Sequence, residues 1–293
     1  MNWWKGLKGK ISSNEPLNKH TTLKIGGRAE FFIEPKDIND LKSLITLAKR
    51  YNMSILVIGS GSNILAGDKD IKAVIVRLNS SSFKKIIYRR NCLEAGSGLM
   101  LWQLVMVAKR HGLSGLEFLA GIPGTVGGAL AMNAGAWGRN ISDMVEDIKV
   151  MDYGGNIKTL TKKQIRFGYR RSGLAKYIIL SVHLKLVKKN KKEINGSIKR
   201  YLEYRRNTQD TSLPNAGCIF KNPRLKSAGR LIDLCGLKGK KIGGALVSRR
   251  HANFILNQGN AKAEDVLKLM DLIKKRVRSR FRVALQPEIK IWS

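Results

Sequence analysis

Acidic residues are scarce in this chain: 21 Asp and Glu stand against 55 Lys and Arg in 293 residues, a formal charge of +34. Cysteine is scarcer, with only Cys92, Cys218 and Cys235, and an odd count without paired spacing argues against a disulfide framework and suits a reducing compartment. The four histidines, His20, His111, His183 and His251, are scattered and form no ligand pair, so no metal site is expected. No run of about 18 apolar residues occurs, which leaves no candidate membrane-spanning helix. The first residues, Met1 to Ile11, join Trp3 and Trp4 to lysines and lack the apolar stretch of a signal peptide. They are expected to form a short helix or a fraying arm, and the chain to stay in the cytoplasm.

Apolar residues are plentiful at 43%, enough for buried cores and against wholesale disorder. The positive field attracts polyanions, so nucleic acid stands as a rival partner to a small diphosphate compound. The basic residues are spread along the chain, however, with only short clusters at Lys188 to Lys192 and Lys274 to Arg282. That pattern weighs against a dedicated nucleic-acid surface.

Asp37 to Tyr51 carries Ile38, Leu41, Leu44, Ile45 and Ala48 on one helical face. Ser54 to Ile58 reads as a buried strand and Lys72 to Leu78 as another, giving a β-α-β unit within the first 80 residues. Gly98 to Arg110 reads as a helix, and strands follow at Asp147 to Asp152, Asn156 to Leu160 and Tyr177 to Leu186. Lys, Asn and Glu dominate near Val187 to Asn195, the best candidate linker. Beyond it, helices are expected at Ile198 to Arg206, Ala228 to Leu234 and Glu264 to Arg278, paired strands over Ala245 to Leu256, and a last strand over Pro287 to Trp292. The last of those helices has Glu264 and Asp265 in its first turn and basic residues in its last, matching the helix dipole.

Two glycine-rich stretches carry the chemistry. Gly59-Ser60-Gly61-Ser62-Asn63 follows a strand, and small residues there let backbone N–H groups approach phosphate oxygens while the hydroxyls add donors. It matches neither a Walker loop nor G-x-G-x-x-G, and alone it reads equally well as a turn. Gly121 to Gly135 holds five glycines in fifteen residues and includes Pro123, Gly124, Thr125, Gly128 and Asn133. So many glycines cost conformational entropy unless a ligand or a neighbouring chain must approach closely.

In this order the two loops resemble the flavin-binding fold of the vanillyl-alcohol-oxidase type. Within it the chain resembles the UDP-N-acetylenolpyruvoylglucosamine reductase family, of the shorter type without a tyrosine-loop insertion. The likeness runs collinearly through Thr22 to Gly27, Gly59 to Asn63, Gly121 to Gly135, Phe167-Gly168-Tyr169-Arg170-Arg171-Ser172, Pro214 to Pro223 and Pro287-Glu288-Ile289. It implies an α+β protein: two small α/β FAD-binding domains, over 1–80 and 81–190, and a C-terminal α/β substrate domain over 191–293.

The resemblance also implies the reaction, NADPH-dependent reduction through FAD of the enolpyruvyl group of a UDP-sugar, in peptidoglycan precursor synthesis, by a monomer. Gly59 to Asn63, Gly121, Pro123, Gly124, Thr125, Gly128, Asn133, Gly135 and Arg206 are implied at the flavin, and Lys221 and Asn222 at the substrate. Arg170, in the family's Tyr-Arg-x-Ser pattern, is implied to hold the substrate carboxylate, where a guanidinium offers two parallel bonds. Glu288 is implied to polarise the enolate-like intermediate. Cys218 departs from the serine that many members carry as proton donor; a thiol, with an ordinary pKa of about 8.5, donates more readily than an alcohol. Asp210 replaces the usual proline after Gln209, and Leu174 a common aromatic. The alternatives are another flavoenzyme of the same fold, though neither loop holds a histidine that could tether flavin, and a basic nucleic-acid-binding protein.

Overall fold

The computed structural model describes residues 3–224 and 226–293; Met1 and Asn2, at the head of the segment expected to be helical or frayed, and Leu225 lie outside the described residues. The chain divides into two compact units of interleaved segments: Met1–Ser13, Phe31–Gly59 and Lys72–Tyr204 form one, and Asn14–Glu30, Ser60–Ile71 and Arg205–Ser293 the other.

In the first unit the expected β-α-β is present. Strand Ile55–Ile58 pairs in parallel with Ile71–Arg77, Ile55 opposite Val74. Helix α1, Ile38–Arg50, starts where the Asp37 side chain accepts from the Asp40 N–H at 2.9 Å, and buries Leu41, Leu44, Ile45 and Ala48. Two strands that the residue pattern did not suggest, Lys10–Pro16 and Arg28–Glu34, extend this sheet in the order 10–16, 28–34, 71–77, 55–58. The N-terminal segment is neither helical nor frayed from Trp3 onward. Trp3 is buried and meets Phe31 edge-on at 5.2 Å, and the buried Asp40 carboxylate accepts from the Lys8 N–H at 2.8 Å.

The unit's second sheet is antiparallel, in the order 157–161, 145–152, 177–185, 92–96, 86–89. Its inner face buries Leu93, Ala95, Ile148, Val150, Val182 and Leu184 with helix α2, Leu101–Arg110, and the short helix α3, Val126–Ala131, which lies inside the second glycine stretch. The expected linker is displaced: helix α4 begins at Lys191 and runs to Thr208. Its opening turns are polar because only Ile194 and Ile198 are buried, so composition there described a solvated helix face rather than a break.

The second unit has an antiparallel sheet in the order 215–218, 254–257, 245–247, 241–242. Helix α5, Ala228–Leu234, and helix α6, Ala263–Phe281, pack on its core. Burying Leu269, Met270, Ile273 and Val277 of α6 is worth about 1.5–3 kcal/mol for each side chain. The Asp68 carboxylate accepts from the N–H groups of Ala263 and Glu264, at 2.7 and 3.0 Å, and so caps α6 from another segment. The final strand, Lys290–Trp292, pairs in parallel with Ile64–Ala66.

Candidate active site

Within the first unit, the second glycine stretch is a tight piece of protein before it is anything else. Thr125 caps α3, its Oγ1 accepting from Gly128 N at 3.2 Å. Val126 N and Gly127 N donate to Leu99 O and Ser97 O, both at 2.8 Å. A Cβ at Gly59 would fall 2.5 Å from Thr125 Oγ1, so the first loop can meet α3 only as glycine. At Gly128 a Cβ would meet nothing nearer than that oxygen, at 3.5 Å. Gly128 is exposed, so a ligand can approach its Cα, but its N–H, like those of Val126 and Gly127, is already given to a protein acceptor.

The same stretch positions Arg170. Asn133, buried and at φ +45°, donates through Nδ2 to Gly168 O at 3.0 Å and accepts at Oδ1 from Ser142 N at 3.3 Å. Ser172 Oγ donates to Ala131 O at 2.8 Å. Between these ties, Gly168 and Arg171 bridge across a tight turn that puts Arg170 at φ +53°. A left-handed arginine is uncommon and costs about 1–2 kcal/mol, which the two ties and the turn hold in place. The guanidinium lies 5.3 Å from the Tyr169 ring centre. Leu174 is buried in the core beside this turn.

In the second unit, Gly61 stands at φ +68°, and a Cβ there would lie 2.0 Å from His20 O. Thr22 N donates to Gly61 O at 3.2 Å, and Thr22 Oγ1 to Asn215 O at 2.7 Å, so the Thr22 to Gly27 segment ties the first loop to the strand that carries Cys218. Ser60 Oγ donates to Ser62 Oγ at 3.3 Å. Asn63 accepts from Lys290 N at 2.9 Å through its backbone oxygen and donates through Nδ2 to Glu288 O at 3.2 Å.

Residues 218–221 run alongside 286–289. Glu288 N donates to Ile219 O at 2.8 Å, Lys221 N donates to Gln286 O at 2.9 Å, and Phe220 and Pro287 form a bridge. Cys218 and Glu288, both half-buried, are thus held close by backbone bonds. Asn222 also has a structural role, its Oδ1 accepting from Ala228 N at 3.0 Å at the head of α5. Arg206 is exposed, whereas its neighbour Arg205 is half-buried. Burial pushes the Arg205 guanidinium below its ordinary value, and the Cys218 side chain beside it works in the opposite sense. Residue spacing singled out Arg206; what distinguishes Arg205 is burial beside Cys218, for which two adjacent arginines give no signal. All three cysteines are free, and no group of three or more metal-ligating side chains is found among the described residues.

Comparison with known proteins bears on the whole length. Residues 29–161 match the model of an FAD binding domain, and residues 208–292 that of the UDP-N-acetylenolpyruvoylglucosamine reductase C-terminal domain. The UDP-N-acetylenolpyruvoylglucosamine reductase of Geotalea uraniireducens is 45% identical over 287 residues, 97% of this chain and 95% of that protein.

The chain belongs to the UDP-N-acetylenolpyruvoylglucosamine reductase family.

The Bacillus subtilis member of the family is 40% identical over 286 residues, covering 97% of this chain and 94% of its own. The crystal structure of the reductase from Thermus caldophilus superposes with a TM-score of 0.83 at 35% identity, covering 98% of this chain and all of that one. The fold is accordingly that of the reductase family, an FAD-binding domain joined to the family's C-terminal domain. Among the described residues no helix is long and apolar enough to cross a membrane.

Proposed function

We propose that this chain reduces the enolpyruvyl group of UDP-N-acetylglucosamine enolpyruvate to the lactyl group of UDP-N-acetylmuramate, with NADPH as hydride source, in the cytoplasm. The reading rests on family membership. The observation that supports it most is the 218–221 and 286–289 pairing, whose backbone bonds bring a proton donor and a carboxylate close together. What supports the residues proposed for the flavin is that Gly128 is exposed with open space at its Cα, and that Ser60 and Ser62 carry hydroxyls on the first loop. Gly59, Gly61, Asn63, Gly121, Pro123, Gly124, Thr125, Asn133, Gly135 and Arg206 complete that set, and the division into domains over 1–80, 81–190 and 191–293 belongs to the same proposal.

FAD, when bound, supplies the hydride chemistry that links NADPH to the enolpyruvyl double bond. The protein's own residues deal with charge and protons. As hydride reaches the terminal carbon, an electron pair moves to the carbon beside the carboxylate, and the Arg170 guanidinium stabilises that growing charge. Cys218 Sγ gives its proton to this carbon and is left as a thiolate, which Arg205 favours and which regains a proton from solvent. Glu288 polarises the enolate-like species from beside Cys218. Lys221 supplies a point cation for the diphosphate.

Purified protein should be yellow, with a flavin band in the visible. In stopped flow, NADPH should bleach that band and the enolpyruvyl sugar restore it. A colourless protein, or reduced flavin reoxidised by air far faster than by the sugar, would defeat the reading in favour of a nucleic-acid-binding protein or an oxidase of the same fold.

A further inference from the structure

Asp210 follows Gln209 just beyond α4, and its bonds lead towards the strand that carries Cys218. Its Oδ1 accepts from Ser212 N and Oγ at 3.2 and 2.6 Å, and its Oδ2 accepts from Ser248 Oγ at 2.7 Å. Ser248 is fully buried, and its hydroxyl oxygen accepts in turn from Arg250 N and His251 N, at 3.0 and 3.1 Å. The carboxylate therefore joins the loop after α4 to the turn before strand Phe254–Asn257. Burial alone would raise the Asp210 carboxyl, but the Ser212 and Ser248 bonds and the nearby Arg250 outweigh it and hold it below its ordinary value.

From the backbone of Asp210 the chain of bonds continues towards the thiol. Asn215 Nδ2 donates to Asp210 O at 3.1 Å and to Leu213 O at 2.9 Å, while Asn215 Oδ1 accepts from Gly217 N at 3.0 Å. Strand Asn215–Cys218 needs this support. Asn215 faces Leu256 and Cys218 faces Phe254, with an irregularity between the two pairs, and Gly217 stands at φ +72°. A break of this kind re-aims the side chain that follows it, so the sheet ladder alone does not settle where Cys218 points. The Asn215 amide spans the break and is anchored on Asp210.

We propose that Asp210 is a positioning residue for Cys218, setting the thiol's place through Asn215 for the proton-delivery half of the reaction; the inference rests on the functional reading above. The test is stopped flow on the wild-type holoenzyme and on Asp210→Ala, Asp210→Asn and Ser248→Ala. NADPH should reduce the flavin in all three variants at rates within about twofold of wild type. At saturating enolpyruvyl sugar, reoxidation should slow by about tenfold to a hundredfold in Asp210→Ala, the scale of one lost bond to a charged group, and less in Asp210→Asn and Ser248→Ala. The solvent deuterium isotope effect on that step should grow as proton delivery becomes limiting. Merely lowered folding or substrate affinity would reduce amplitude or raise KM and leave the saturating rate and isotope effect alone. Iodoacetamide labelling of the unliganded protein, mapped to Cys218 by peptide mass, gives a readout independent of turnover and should quicken in Asp210→Ala. Wild-type saturating rates, isotope effects and labelling in all three variants would overturn the proposal alone. A wild type whose reduced flavin ignores the enolpyruvyl sugar would overturn the functional reading and this inference with it.

Discussion

Arg170 and Cys218 are held by opposite means. Arg170 sits on a left-handed turn that side chains secure, Asn133 bonding Gly168 and Ser172 bonding Ala131. The segments carrying Cys218 and Glu288 are instead paired by backbone bonds, Glu288 N to Ile219 O and Lys221 N to Gln286 O, which do not depend on the side chains there. A site held by side chains loses its geometry when one of them is changed. A pairing held by backbone survives a new side chain, which gives a physical reason why position 218 can carry a cysteine.

The most forceful way to break this contrast is at the reacting groups. Arg170→Ala should slow enolpyruvyl reduction by about 10²–10³-fold, the scale of losing one donor to a developing oxyanion, with flavin reduction by NADPH intact in stopped flow. Cys218→Ala should lose the same half-reaction by a similar factor, while Cys218→Ser keeps substantial turnover because the backbone around it is unchanged. Normal enolpyruvyl reduction in the alanine variant would remove Cys218 from the mechanism. A Cys218→Ser variant as slow as Cys218→Ala would show that the thiol itself is required.

Next in size is the first glycine loop. Gly61→Ala would place a methyl group 2.0 Å from His20 O on a residue at φ +68°. Backbone strain and overpacking together should cost about 2–4 kcal/mol in denaturant unfolding. The contrast sharpens at Asn133, whose side chain alone bridges Gly168 O and Ser142 N. Asn133→Ala should cost about 1–3 kcal/mol, chiefly by leaving the Ser142 N–H, on a buried residue, without this acceptor. It should also raise the KM for the enolpyruvyl sugar as Arg170 loses its place. Unchanged KM with lowered stability would mean that the turn holds its shape without Asn133.

The long amphipathic helices α1 and α6 were legible because their buried residues, such as Leu41, Leu44, Ile45 and Val266, Leu269, Ile273, recur at helical spacing. Helix α3 was not, since six residues containing two glycines carry no period and sit within a stretch that reads as loop. The opening turns of α4 bury only Ile194 and Ile198 and so passed for a linker. In the site, family motifs brought out Arg170, Cys218 and Glu288, but the ties that place them are contacts across long separations. Asn63 to Glu288, Thr22 to Asn215 and Asp210 to Ser248 follow from tertiary structure, and no local pattern marks them.

The smallest effect tests whether side-chain ties in the first unit matter generally. His183 bridges two strands of the five-stranded sheet through Asp147, at 2.8 Å to Nδ1, and Glu94 Oε2 lies 3.5 Å from Nε2 on a third. Burial alone would lower the imidazole, but the bond to Asp147 and the charges of Asp147 and Glu94 outweigh it and raise it above its ordinary value. A raised folded-state value means that the protonated ring stabilises the fold fully below the unfolded value near 6.5, and that this stabilisation is lost as pH rises through the folded value. The side chain is 43% exposed, so solvent screening keeps the effect below about 1 kcal/mol. Urea unfolding between pH 5.5 and about pH 8.5 should show wild type losing stability relative to His183→Gln, with the difference shrinking in high salt. A difference that is flat with pH would show that the sheet holds this face by its backbone ladder alone.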